Sequence, residues 1–164
     1  MADPLHCMRC GAPLVEKDLS SIRRQVCPED GWVFYDNPTP VVAAIVEHRG
    51  DVILVRNHGW PEKWFGLVTG FLEKEETPEE GILRELDEEL GLSGQVMSLV
   101  GLYPFAQRNE LIIAYHVRAE GEVVLGDELE ATKRIHPEKL RPWPFGTGHA
   151  VRDWLESRQA SVQG

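Results

Sequence analysis

The stretch from Thr77 to Gly91 has both of its ends written into it. Thr77 can cap the start of a helix, Pro78 suits the first helical position, and Glu80 stands three residues after Thr77 as the partner in a capping box. Gly91 supplies the stop, because glycine adopts the left-handed conformation that ends helices. Between them Ile82, Leu83, Leu86 and Leu90 recur at helical spacing and form an apolar stripe that must be buried against something. What it packs on is read from the flanks. Val41 to Val46 is an apolar, β-branched run, read as a buried strand. Arg49-Gly50-Asp51 makes a turn and Val52 to Val55 returns as a second strand. Trp64 to Phe71 is read as a third extended segment ending in a loop. Val96 to Leu102 and Leu111 to Val117 are further strands, and Gly148 to Arg158 is a terminal helix with Val151, Trp154 and Leu155 inward. Strands, a helix, more strands and a last helix predict an α/β (α+β) domain with a mixed sheet packed between helices.

Residues 1 to 36 read as a separate small module with little core of its own, and residues 37 to 164 as the main domain. Asn37-Pro38-Thr39-Pro40 is read as the linker, since two prolines block regular pairing. No apolar run approaches the roughly 20 residues that span a bilayer. Met1 to Cys10 has no apolar core of a secretory signal, so the cytoplasm is the expected compartment.

The acid is concentrated on the capped helix. The chain carries a net charge of −10, which disfavours broad binding to a nucleic-acid backbone. Nine carboxylates lie between Glu73 and Glu89, against only Lys74 and Arg84. On a helix Glu85 shares a face with Glu88 and Glu89, three and four residues on. Carboxylates gathered in this way repel one another unless a cation sits among them, and hard oxygen ligands select Mg²⁺ or Mn²⁺. The alternative is a solvated acidic face made of helical ion pairs. Arg84 can pair with Glu88 at i,i+4 or reach back to Glu76. Gly70, lacking a side chain, lets its carbonyl approach a metal closely.

The spacing decides between these readings. Gly70, five residues, Glu76, seven residues, then Arg84-Glu85-Leu86-Asp87-Glu88-Glu89-Leu90-Gly91-Leu92 fits every specified position of the Nudix box. The chain therefore resembles the Nudix hydrolases. The resemblance implies an α/β/α sandwich that hydrolyses nucleoside diphosphates linked to another moiety. It implies Glu85, Glu88 and Glu89 as ligands for one or more divalent ions, one of them able to share the role of base. It also implies Glu76 as a structural or outer-sphere acid, and Arg84 as the group that orients the carboxylates. Dimerisation is common in that superfamily, so a homodimer is expected by analogy alone.

Outside the box, Leu102-Tyr103-Pro104-Phe105-Ala106-Gln107 resembles the aromatic array of NADH pyrophosphatases, with Tyr103 for its Trp, Ala106 for its second Pro and Gly101 for its Gln. Tyr103 and Phe105 are either core residues or a platform that stacks a purine or nicotinamide ring. Phe71 matches a ring-stacking position of that branch. Glu128, preferred over Glu130, stands where the family places a further metal-binding or basic glutamate; the alternative is an exposed loop acid. Trp143, in Pro142-Trp143-Pro144-Phe145, is read as part of a rigid connector. The implied substrate is ADP-ribose, NAD(H) or a related dinucleotide, cut to release AMP. The rival readings are a non-catalytic nucleotide sensor and removal of an NAD cap from RNA.

All three cysteines lie in the first module. Cys7-Met8-Arg9-Cys10-Gly11 and Cys27-Pro28-Glu29-Asp30-Gly31 form two knuckle-like turns, the arms of a zinc ribbon of the kind those pyrophosphatases carry. An odd cysteine count in a chain without a secretory signal disfavours a disulfide framework. The fourth ligand position is held by Asp30, with His6 as an alternative. Such a site is structural, and a ribbon without metal is the competing reading.

Overall fold

The structure is a computed structural model that describes residues 5–162, and these divide after Pro38 into two compact units. The first unit is a small antiparallel sheet of β1 (Val15–Leu19), β2 (Ile22–Val26) and β3 (Val33–Phe34), in that order. Few of its residues are buried: Cys7, Val26 and Cys27 are the buried hydrophobics among those described. A sheet this small cannot bury enough apolar surface to account for its own stability, so a cross-link or a metal is the usual remedy.

The second unit is built on β4 (Thr39–His48), which alternates between two cores. Val42, Ala44 and Val46 face one cluster, and Ala43 and Ile45 face the other. A strand covered on both faces reads as an unbroken apolar run. β4 pairs in parallel with β8 (Glu110–Glu120) and antiparallel with β5 (Asp51–Asn57) and β6 (Val68–Phe71). β7 (Ser93–Phe105) and β9 (Leu129–Ile135) complete a mixed sheet of order β7-β8-β4-β5-β9, with β6 on the flank of β4. Helix α1 (Pro78–Leu90) sets Ile82, Leu86 and Leu90 into the first core. Helix α2 (Gly148–Val162) sets Ala150, Val151 and Trp154 into the second. The unit is thus the expected α/β/α sandwich.

Three elements differ from the sequence reading. Thr39 and Pro40 belong to β4 rather than to a linker, in register with Glu110 and Leu111. Proline is tolerated there because it stands at the second residue of the strand, where its carbonyl still accepts a hydrogen bond from Leu72 N–H (3.3 Å). The segment from Trp64 is not extended throughout: pairing begins with a single bridge between Gly66 and Val55, and β6 proper starts at Val68. β9 was not anticipated. Its sequence, Leu-Glu-Ala-Thr-Lys-Arg-Ile, is polar because it pairs only with β5 and forms the sheet edge, where charge guards against further pairing. Among the described residues no helix is long and apolar enough to cross a membrane.

Candidate active site

Local sequence fixes where the acidic face of α1 points. The Thr77 hydroxyl accepts the N–H of Glu80, and the Glu80 carboxylate accepts the N–H of Thr77 at 2.8 Å, closing the capping box. Gly91 ends the helix with φ of 61°, donating to the Asp87 carbonyl. With both ends fixed and the leucine stripe buried, Glu85, Glu88 and Glu89 are carried toward β6. There Gly70 packs so closely that a Cβ in its place would overlap the Glu85 carboxylate. Its lack of a side chain therefore makes room for the acid itself, in addition to the access to its carbonyl anticipated from the sequence.

Arg84 makes both of the pairings that the sequence left open. Its Nε and Nη2 donate to the two oxygens of Glu76 at 2.7 and 3.1 Å. Its Nη1 donates to Glu85 at 2.8 Å and to Glu88 at 3.1 Å, and Nη2 also reaches the Phe71 carbonyl at 3.1 Å. One guanidinium thus ties the loop before α1, the end of β6 and two helix carboxylates into one rigid unit. The Arg84 hydrogen bonds hold the Glu76 carboxyl below its usual range.

Glu89 lies beyond the reach of this hub. Its side chain is buried, at 5% exposure, and its Oε2 has no hydrogen-bond partner. Burial, together with the charges of Glu85 and Glu128, raises its pKa to about 8, despite a backbone hydrogen bond from Thr69. Burial raises Glu85 as well, against the pull of Arg84. Glu128 reaches the cluster by way of the 122–128 loop. Val124 and Gly126 donate their N–H groups to the Leu90 and Glu89 carbonyls at 2.9 Å, satisfying orphan groups at the end of α1. Gly126 sits against the Glu88 carbonyl where a Cβ would clash. Glu130, the rejected candidate, points elsewhere and pairs with Arg56 at 3.4 Å.

These acids form one end of a cavity of about 1000 Å³. Gly70, Arg84, Glu85, Glu88, Glu89 and Glu128 line it, with Phe71 and Phe105 on its wall. Phe71 is well exposed there, and Phe105 carries the Arg108 guanidinium 5.9 Å from its ring centre. Tyr103 is a correction: it does not line the cavity. It shares a strand face with Phe105, but its ring lies back over Gly101, where it packs in the α2 core and its hydroxyl donates to Asp153 at 2.8 Å. The core alternative therefore holds for Tyr103. Trp143 lines the cavity while also packing in that core, so it is more than a connector.

Sequence reading missed Trp60 and Trp64, which lie on the loop between β5 and β6 and line the cavity. Trp64 is 59% exposed. Two tryptophans four residues apart in a polar Pro-Glu-Lys setting, with no strand periodicity to bury them, were the available signal. The loop is fastened to the acid cluster, because His58 N–H donates to the Glu128 carbonyl at 3.1 Å.

The donor set is all oxygen, it is rich in charge, and it includes a buried carboxylate oxygen without a partner. Such a site fits a hard divalent cation, whose charge would offset the repulsion among its carboxylates. A doubly covered mixed sheet with these acids at one end of an aromatic cleft defines a Nudix-type hydrolase. The comparisons agree, for the NUDIX domain family model matches residues 37–154, and the chain belongs to the Nudix family. It is 25% identical over 162 residues to an NAD-capped RNA hydrolase NudC of Pseudomonas aeruginosa, covering 96% of this chain and 58% of that protein. It is 29% identical over 128 residues to an ADP-ribose pyrophosphatase of Methanocaldococcus jannaschii, covering 74% of this chain and 75% of that one. A NUDIX hydrolase from Nitrosomonas europaea shares the fold with a TM-score of 0.80 at 21% identity, covering 94% and 92% of the two chains. The chain spans little more than half the length of the NudC relative.

Proposed function

We propose that this chain hydrolyses the diphosphate of ADP-ribose or an NAD(H)-type dinucleotide and releases AMP, using Mg²⁺ or Mn²⁺ held by Glu85, Glu88 and Glu89. The observation that carries this reading is the unpartnered, buried Oε2 of Glu89 beside Glu85 and Glu128, at the end of an aromatic-walled cavity.

Bound there, the cation supplies positive charge against the diphosphate oxygens and lowers the pKa of water. The chain's own groups do the rest. Arg84 holds Glu85 and Glu88 in place, so that little reorganisation is needed when substrate arrives. Glu88 and Glu128 line the cavity as carboxylates able to take a proton from the attacking water. Phe71 and Phe105 offer ring faces to a base, and Trp60 and Trp64 extend the apolar wall. The cavity volume suits a ligand with two ring systems joined by a diphosphate.

The named activities of the relatives support a dinucleotide or ADP-ribose substrate. A net charge of −10 favours the free small molecule over a capped RNA, whose backbone would be repelled. In the first unit, three thiols and a carboxylate gathered within 4.8 Å support a structural zinc, since thiolates select a thiophilic ion. The test of the function is to incubate the protein with ADP-ribose and with NADH, in Mg²⁺ and in Mn²⁺, and to follow AMP. Release of AMP from either is expected. Tight binding of ADP-ribose with no product at saturating metal would instead mark a nucleotide sensor.

A further inference from the structure

The two turns of the first unit are built alike, although one ends in cysteine and the other in aspartate. Gly11 N–H donates to the Cys7 carbonyl at 2.9 Å with φ of 77°, and Gly31 N–H donates to the Cys27 carbonyl at 3.1 Å with φ of 74°. Cys10 stands immediately before the first glycine and Asp30 immediately before the second, so Asp30 occupies the structural place of a fourth cysteine. Their donor atoms converge. Cys10 and Cys27 sulfurs are 3.5 Å apart, and the Cys7 sulfur is 3.6 Å from Asp30 Oδ2. The cysteines are free, since 3.5 Å far exceeds a disulfide bond of about 2.05 Å. His6 bridges to Pro13 and is not in the cluster.

The hydrogen bonds around these donors also correspond. Ala12 N–H donates to the Cys10 sulfur, two residues back. Trp32 N–H donates to Asp30 Oδ1, also two residues back, at 2.8 Å. Both oxygens lie near the Cys7 sulfur, Oδ1 at 3.8 Å and Oδ2 at 3.6 Å, and because Oδ1 already accepts from Trp32, Oδ2 is the oxygen left to a metal. Three thiolates and one carboxylate carry the same formal charge as four thiolates, so the substitution changes the softness of the shell and leaves its charge balance intact.

On the reading that this unit holds zinc, we propose that Asp30 closes the shell as a one-oxygen ligand through Oδ2, giving three sulfurs and one oxygen. Carboxylate oxygen binds zinc at about 2.0–2.2 Å and is the least thiophile-matched member of the set. It is therefore the arm that opens first, and the zinc exchanges more readily than in an all-thiolate ribbon.

The test uses the full chain, purified with zinc and compared with Asp30→Asn and Asp30→Cys. Metal analysis gives the zinc content, Co²⁺ substitution gives sulfur-to-metal charge-transfer absorption, and ¹¹³Cd NMR reports the donor set directly. The wild type is expected to hold one zinc and to show a three-sulfur cadmium environment. Asp30→Cys is expected to raise the charge-transfer intensity by about a third, as three thiolates become four, and to slow zinc loss to a chelator. Asp30→Asn is expected to speed that loss. If Asp30→Asn leaves both the cadmium resonance and the release rate unchanged, Asp30 is not a ligand, though the zinc reading survives. If the wild type takes up neither zinc nor Co²⁺ while Asp30→Cys does, the zinc reading itself is wrong for this chain. Should Asp30→Cys fail to fold, the Asp30→Asn comparison decides alone.

Discussion

Replacing Glu89 by Gln should make the metal-free protein more stable at alkaline pH, although it removes a proposed ligand. The folded carboxyl has a pKa of about 8, whereas the unfolded one sits at its ordinary 4.5. Between those values the folded state holds a proton that the unfolded state has released. Stability therefore falls as pH rises through this window, and the loss is complete above about 8. The full displacement corresponds to roughly 4–5 kcal/mol at 1.36 kcal/mol per pKa unit. Because the side chain keeps some contact with solvent and with neighbouring charges, about half of that, on the order of 2 kcal/mol, is the share expected to return when Glu89 is neutralised. For a chain of this size that is roughly 4–8 °C in Tm. The assay is thermal unfolding of both proteins at pH 5 and pH 8.5, without added divalent cation and then with Mn²⁺. At pH 5 the two should melt together. At pH 8.5 Glu89→Gln should melt higher, and Mn²⁺ should stabilise the wild type more than the variant. Equal melting at both pH values, or equal Mn²⁺ stabilisation, would refute the claim that buried, mutually repelling carboxylates form a metal-hungry cluster.

Gly70→Ala places a methyl against the Glu85 carboxylate and should lower metal-dependent turnover by about 10–100-fold, which a metal titration of initial rates would reveal. Arg84→Lys keeps the charge but loses the fork that reaches Glu76, Glu85 and Glu88 together; a loss of about 10-fold or more in metal affinity is expected from the same titration. Tyr103→Phe should leave KM unchanged and cost about 0.5–1.5 kcal/mol in urea unfolding, since its hydroxyl serves Asp153 outside the cavity. Trp64→Ala, by contrast, should raise KM for a dinucleotide with little change in Tm, because the ring is mostly exposed on the cavity wall.

The parts of the fold that could be read from the sequence are those whose local signals and tertiary roles agree. Thr77, Pro78, Glu80 and Gly91 specify α1 by themselves, and Val41 to Val46 is apolar throughout because both faces of β4 are covered. β9 was hidden because an edge strand with one neighbour has no need of an apolar pattern. Pro40 misled because its missing N–H matters only where a partner strand requires one. At the site, the box spacing placed Glu85, Glu88 and Glu89 on one face, but Tyr103 and Phe105 share a face of β7 and only Phe105 reaches the cavity. The Tyr103 ring lies back over Gly101 and is held there by Asp153 of α2, a contact 50 residues away in sequence that no strand period announces. Trp60 and Trp64 were missed because a loop has no period from which to infer a direction.

The most direct measurement is the rate of AMP formation from ADP-ribose as Mn²⁺ is titrated from zero, for the wild type and for Glu89→Gln. The proposed chemistry requires no product without divalent metal, a saturable rise with it in the wild type, and a near-complete loss of turnover in the variant. Turnover that persists in metal-free buffer, or a Glu89→Gln protein that matches the wild type at every Mn²⁺ concentration, would contradict it.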